Sequence, residues 1–192
     1  MTQRVFASKN AFRSIKTRFG CLPIEAVGDE LVYKIARIGF EEIAEIQSLA
    51  LEAQSEGYRF LNRLAQDMES GENRFDKPGE ALFAVYESTE MVAVGGLNID
   101  PYAEGDRVGR VRRVYVKPSC RRKGVGELLL QTIIEYANGR FDVLTLRTDS
   151  EAASAFYCSL GFRNEPLGEN YTHYLRLADT GSSMTAPDPL RT

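Results

Sequence analysis

The sequence predicts an α/β fold: one mixed, mostly antiparallel sheet with a single parallel strand-helix-strand crossover, flanked by helices on both faces. Three observations predict it. Apolar periodicity reads, in chain order, as strand, two helices, three strands, helix, strand, helix, strand. Short polar turns join the middle strands and make them antiparallel hairpins. The strand ending at Val116 and the strand 141–149 are separated by a helix instead, which demands a right-handed parallel connection.

The elements follow from local patterns. Residues 31–38 alternate as a first strand. Ile43, Ile46, Leu49, Ala50 and Ala53 recur at three and four, so 40–56 is a helix that Gly57 ends. Phe60, Leu61, Leu64 and Met68 repeat that pattern in 58–70, closed by Gly71. After Pro78-Gly79 come strands at 81–87 and 91–99, joined around Ser88, Thr89 and Glu90, then an acidic turn with Asp100, Glu104 and Asp106. Val108, Val111, Val114, Tyr115 and Val116 form a β-branched strand that Pro118 stops. Val125, Leu129 and Ile133, with Leu130, Ile134 and Ala137 beside them, give a helix ending at Gly139. A strand at 141–149 follows, with a helix capped by Asp149 or Ser150, a loop over 163–170 and a last strand at 171–177.

With 192 residues, 43% hydrophobic and 27% charged, the chain supports one domain with its own core. The expected organisation is an N-terminal extension over 1–30, a folded domain over 31–178 and a loose tail over 179–192. The extension carries Arg4, Lys9, Arg13, Lys16 and Arg18, with Phe12, Ile15 and Phe19 at helical spacing. It mimics a transit peptide weakly and reads better as an amphipathic helix or a poorly ordered segment. No apolar run reaches the roughly 18 residues of a membrane span, so no membrane partner is expected. Cys21, Cys120, Cys158 and the single His173 lack metal-like spacing, so no metal is expected, and a reducing cytoplasm is the simplest setting.

The chemistry concentrates between Arg107 and Lys123, where eight of the 24 basic residues occur without one acid in a chain of net charge −3. There Arg121-Arg122-Lys123-Gly124-Val125-Gly126 joins strand to helix. Two glycines allow close approach of a ligand to the backbone, and the helix N-terminus offers unpaired N–H groups to an anion, phosphate above all. The Walker pattern and Gly-x-Gly-x-x-Gly are both absent, which disfavours a P-loop nucleotidase and a dinucleotide fold. Overall acidity and the lack of interleaved exposed aromatics argue against nucleic-acid binding.

Val116-Lys117-Pro118 followed by Arg121-x-x-Gly124-x-Gly126, with Ala153-Ser154-Ala155-Phe156-Tyr157-Cys158-Ser159-Leu160-Gly161-Phe162 downstream, resembles the GNAT superfamily of acetyl-CoA-dependent N-acetyltransferases over about Tyr33 to Leu177. The resemblance implies a GNAT-like fold and acetyl-CoA as cofactor. It implies transfer of the acetyl group to a primary amine of a small molecule or peptide, and a homodimer is compatible with it. Backbone groups of Val114 and Val116, with Tyr115 between them, would face pantetheine in a gap between the parallel strands. Amides from Arg121 through Arg122, Lys123, Gly124, Val125 and Gly126 to Glu127 would hold the pyrophosphate, the cationic side chains adding attraction. Tyr157 would be the acid for the leaving thiolate, and Cys158, about 100° round the helix, simple packing.

Two departures matter. Arg110 stands where many members carry a Glu base, and Ser150 where an Asn is common. The first keeps open a catalytically silent acyl-CoA-binding module of the same fold. Glu104, Asp106 and His173 read as loop charges or a strand polar residue. Glu52, Glu56, Asp67, Glu69, Glu165 and Glu169, on the expected acceptor walls, suggest that a cationic amine would be welcomed.

Overall fold

The computed structural model describes residues 4–7, 32–165 and 169–177. Seven strands pair in chain order: β1 (Arg4–Ala7), β2 (Val32–Ile38), β3 (Ala81–Glu87), β4 (Glu90–Ile99), β5 (Val108–Val116), β6 (Val143–Leu146) and β7 (His173–Arg176). Every neighbouring pair is antiparallel except β5 with β6, as the crossover requires. The helices are α1 (Ile43–Ser55), α2 (Phe60–Ser70), α3 (Val125–Ala137) and α4 (Glu151–Ser159).

One face of the sheet is covered by α3 and α4, whose Leu129, Leu130, Ile133 and Tyr157 pack with Val85, Leu97, Val111 and Leu144. The other face is covered by α1 and α2, where Ile46, Leu49, Leu61, Leu64 and Met68 meet Leu82, Val94 and Tyr115. β4 is buried from Met91 to Asn98 because helices lie on both of its sides.

Two boundaries differ from the sequence expectation. β6 is four residues long rather than the run 141–149, because its partners leave it after Leu146. Arg4–Ala7, expected within an extension, adds an edge strand antiparallel to β2. The expected helix over Phe12, Ile15 and Phe19 and the tail over 179–192 lie outside the described residues.

Candidate active site

The parallel pair does not run the length of β5. Its register is Val108 with Val143, Gly109 with Leu144 and Arg110 with Thr145, and there it stops while β5 continues to Val116. Beyond Arg110 the two strands therefore part. On its other side β5 stays paired with β4, Val94 facing Tyr115 and Ala93 facing Val116. Lys117 N donates to Val92 O at 2.8 Å, which makes Lys117 and Val92 a hydrogen-bonded pair. By antiparallel alternation Tyr115 is bonded to β4, while Val116 and Val114 turn their N–H and C=O groups toward the gap. The side chain of Tyr115 goes elsewhere: its ring is buried under α1 and α2, and its hydroxyl donates to Glu56 at 2.6 Å.

The turn after β5 stands at the mouth of that gap. Arg122 and Gly124 both adopt left-handed backbone, with φ of 62° and 86°. A Cβ on Gly124 would meet nothing within 4 Å, so the glycine is there for conformation and not for space. Gly124 is the N-cap of α3 and no side chain caps that helix, so its first-turn amides have no capping acceptor. Gly126 answers to packing: a Cβ there would lie 3.2 Å from Phe156 Cζ and 3.6 Å from Val116 Cγ2. That contact brings α4 close against the start of α3.

Tyr157 is the buried residue of α4, and Ser150 caps this helix by accepting from Ala153 N at 3.3 Å. Its ring packs against Phe156, Phe162 and His173 at centroid distances of 5.5, 5.8 and 6.2 Å. Burial pushes its pKa up to about 12, so the hydroxyl stays protonated at neutral pH. Among the described residues it has no hydrogen-bond partner. His173 is fully enclosed, with Ser154 Oγ 2.9 Å from Nε2 and Thr172 Oγ1 2.8 Å from Nδ1, and burial lowers its pKa. Cys158, expected to pack, is exposed, because the buried stripe of this nine-residue helix is too narrow to include it.

Five of the eight basic residues between Arg107 and Lys123 are held by acids from distant parts of the chain. Arg107 pairs with Asp142, Arg110 with Asp100 at 3.2 Å, and Arg113 with Asp67 at 2.9 Å. Lys117 reaches Glu52 at 2.8 Å and also Glu90, while Arg121 grips Glu56 at 2.7 and 2.9 Å. Arg121 Nε also donates to Val116 O at 2.8 Å, and its guanidinium lies 5.6 Å from the Tyr115 ring centroid. Its neighbours Arg122 and Lys123 are exposed in the turn.

These pairs leave less free acid on the expected acceptor walls than a count of their carboxylates suggests. Glu52, Glu56 and Asp67 are spent on Lys117, Arg121 and Arg113; Glu69 accepts from Gln47, and Glu165 from the Tyr174 hydroxyl. Arg110 is buried: Asp100 holds one side of its guanidinium, and Asn170 O accepts from Nη2 at 2.7 Å. Asp100 in turn accepts from the Thr145 hydroxyl. No sequence signal announced this cluster at the last paired rung of β5 and β6. Among the described residues no group of three or more His, Cys, Asp or Glu could hold a metal ion.

The model of the acetyltransferase (GNAT) family matches residues 40–162. The chain belongs to that family. Enzymes of this family are acyltransferases that draw on acetyl-CoA. N-alpha-acetyltransferase RimI of Mycobacterium tuberculosis is 35% identical over 77 residues, 36% of this chain and 49% of that protein. The match thus spans about half of that curated relative's length. A candidate acetyltransferase from Exiguobacterium sp. 255-15 superposes with a TM-score of 0.64 at 31% identity, over 75% of this chain and 93% of that one. The PaiA N-acetyltransferase of Thermoplasma acidophilum, solved with coenzyme A, shares the fold at a TM-score of 0.56 and 15% identity, over 75% and 98% of the two chains.

Proposed function

We propose that this GNAT member is a cytoplasmic enzyme that moves an acetyl group from acetyl-CoA to a primary amine, and that residues 31–178 form the transferase unit. The observation that carries the reading is the parting of β5 from β6 beyond Arg110, with an uncapped α3 N-terminus at its mouth. An extended thioester arm fits the free edge of β5 as an added strand would, pairing with Val114 and Val116. The pyrophosphate fits the amides from Arg121 to Glu127, where the helix dipole and the exposed Arg122 and Lys123 favour negative charge. Acetyl-CoA supplies the activated acyl carbon.

The chain's own groups do the rest. The amine nitrogen attacks the acyl carbon, the carbon–sulfur bond breaks, and the sulfur takes a proton from the hydroxyl of Tyr157. The ammonium loses its proton to water, because Arg110 is a cation held by Asp100 and supplies no base. Solvent then reprotonates Tyr157.

The test is a thermal melt with and without saturating acetyl-CoA, followed by a thiol-release screen across amines. A ligand that binds only the folded state raises the melting temperature by mass action. No shift and no heat of binding would overturn the donor assignment. A shift with no thiol release from any amine would leave a silent binding module.

A further inference from the structure

Of the eight basic residues on the stretch from Arg107 to Lys123, Arg112 is set apart. It is half-buried, yet among the described residues it has neither an ion pair nor a hydrogen bond. Val111, its neighbour, packs into the core under α3, so strand alternation turns Arg110 and Arg112 to the face of α1 and α2. Arg110 on that face is satisfied by Asp100 and Asn170 O. Arg112 is not, and it lies just past the last rung shared with β6, two residues short of Val114. At about 3.3 Å per residue its Cα is at most about 7 Å along the strand from Val114, where the acyl group would lie.

The surroundings of Arg112 add cations. Arg113 beside it is pressed below the ordinary guanidinium range, first by burial and then by Arg112, with Arg63 of α2 contributing, while Asp67 opposes. Arg63 sits one turn before Asp67 on α2, and Asp67 is already bonded to Arg113. Three guanidinium groups thus share one carboxylate. Leaving a half-buried charge uncompensated is costly, and an arginine fork fits a carboxylate in two-point geometry.

From this we infer that the acceptor carries a carboxylate within a few bonds of its amine, as an amino acid does, and that Arg112 binds it with Arg63 contributing to the positive field. The inference rests on the transferase reading above and makes the acceptor anionic on its binding side rather than simply cationic.

The experiment compares matched acceptors that differ only in that carboxylate: glycine and glycinamide, β-alanine and its amide, and alanine and alaninamide, each at saturating acetyl-CoA. The dipeptides Glu-Ala-amide and Gln-Ala-amide separate a free amino acid from an acidic peptide. The acid of at least one pair is expected to have a kcat/KM roughly 10- to 100-fold above its partner, the range of a hydrogen bond to a charged group. In Arg112→Gln that ratio falls toward one while acetyl-CoA affinity holds, Arg112→Lys keeps part of it, and Lys34→Gln on β2 leaves it unchanged. Equal or better turnover of the neutral partners, or a ratio indifferent to Arg112→Gln, overturns the inference and spares the transferase reading. So does a protein that binds acetyl-CoA yet acetylates no carboxylate-bearing amine. Failure to bind acetyl-CoA strikes the donor reading instead.

Discussion

Tyr157→Phe separates chemistry from packing in this molecule. The ring keeps its contacts with Phe156, Phe162 and His173, since none of them involves the hydroxyl. That hydroxyl has no protein partner among the described residues, so its removal strands no donor or acceptor, and stability should change by no more than about 0.5 kcal/mol. Acetyl-CoA affinity should hold, because the β5 edge and the α3 amides are untouched. Turnover is a different matter. Losing a general acid lowers it by about 10²–10⁴-fold, which is about 3–5 kcal/mol of transition-state stabilisation. Because burial raises the hydroxyl to about 12, wild type and variant should keep parallel pH profiles below about pH 11. The assay is thiol release at saturating acetyl-CoA with an acceptor from the amine screen, alongside thermal melts and direct binding. Wild-type turnover in the Phe variant would refute the role. A loss of stability above 1 kcal/mol with turnover intact would show that the hydroxyl serves the core.

Gly126→Val should weaken acetyl-CoA binding and cost about 1–3 kcal/mol, because the new side chain drives into Phe156 and displaces α4; circular dichroism and calorimetry read both effects, and wild-type values in both would return Gly126 to a mere helix start. Glu56→Gln should cost about 1 kcal/mol by weakening the grip on Arg121. The Arg121 pair and the Tyr115 hydroxyl hold the Glu56 carboxyl below its ordinary 4.5, so its contribution is complete above that pH and is lost as pH falls; denaturant melts of wild type should lose that part below pH 4.5 and the Gln variant should not. His173 acts higher: burial keeps it below its ordinary 6.5, so the unfolded chain takes up a proton first and stability should decline as pH drops through 6.5, a step that melts of His173→Asn should lack. With no carboxylate base at Arg110, the rise of kcat/KM with pH should follow the acceptor amine's own pKa, and two acceptors of different basicity with identical pH profiles would reveal an internal base.

What could be read from the sequence was local. Val108 to Val116 is legible as a strand because β-branched residues fill it and Pro118 ends it. Gly124 is legible as the opening of α3 because few residues other than glycine take that left-handed conformation cheaply. The Ser150 cap and the buried Tyr157 stripe follow from helical spacing. What escaped was set by partners far along the chain. Arg121 and Glu56 are 65 residues apart, and Arg113 and Asp67 are 46 apart. Counting acids on α1 and α2 therefore overstated the free negative charge there, since Glu52, Glu56 and Asp67 already had cations on β5 or just after it. The left-handed backbone of Arg113, with φ of 58°, is equally silent, because no glycine marks it.

The Arg121 side chain changes the meaning of the signature in which it stands. Its charge is bound to Glu56, so it would add little net attraction for phosphate, and under the proposed reading that work would fall to the α3 amides with Arg122 and Lys123. Its Nε instead occupies the carbonyl of Val116 on the open edge of β5. An arm lying along that edge then finds the carbonyl of Val114 and the N–H of Val116 open, which limits how far toward the turn it can pair as a strand. Because Glu56 is the C-cap of α1, the same ion pair ties the α1–α2 turn, where Tyr58 and Phe60 pack on Tyr115, to the end of β5. The placement of that turn and the placement of the β5 edge are thus fixed together by one carboxylate, so Glu56→Gln should loosen both.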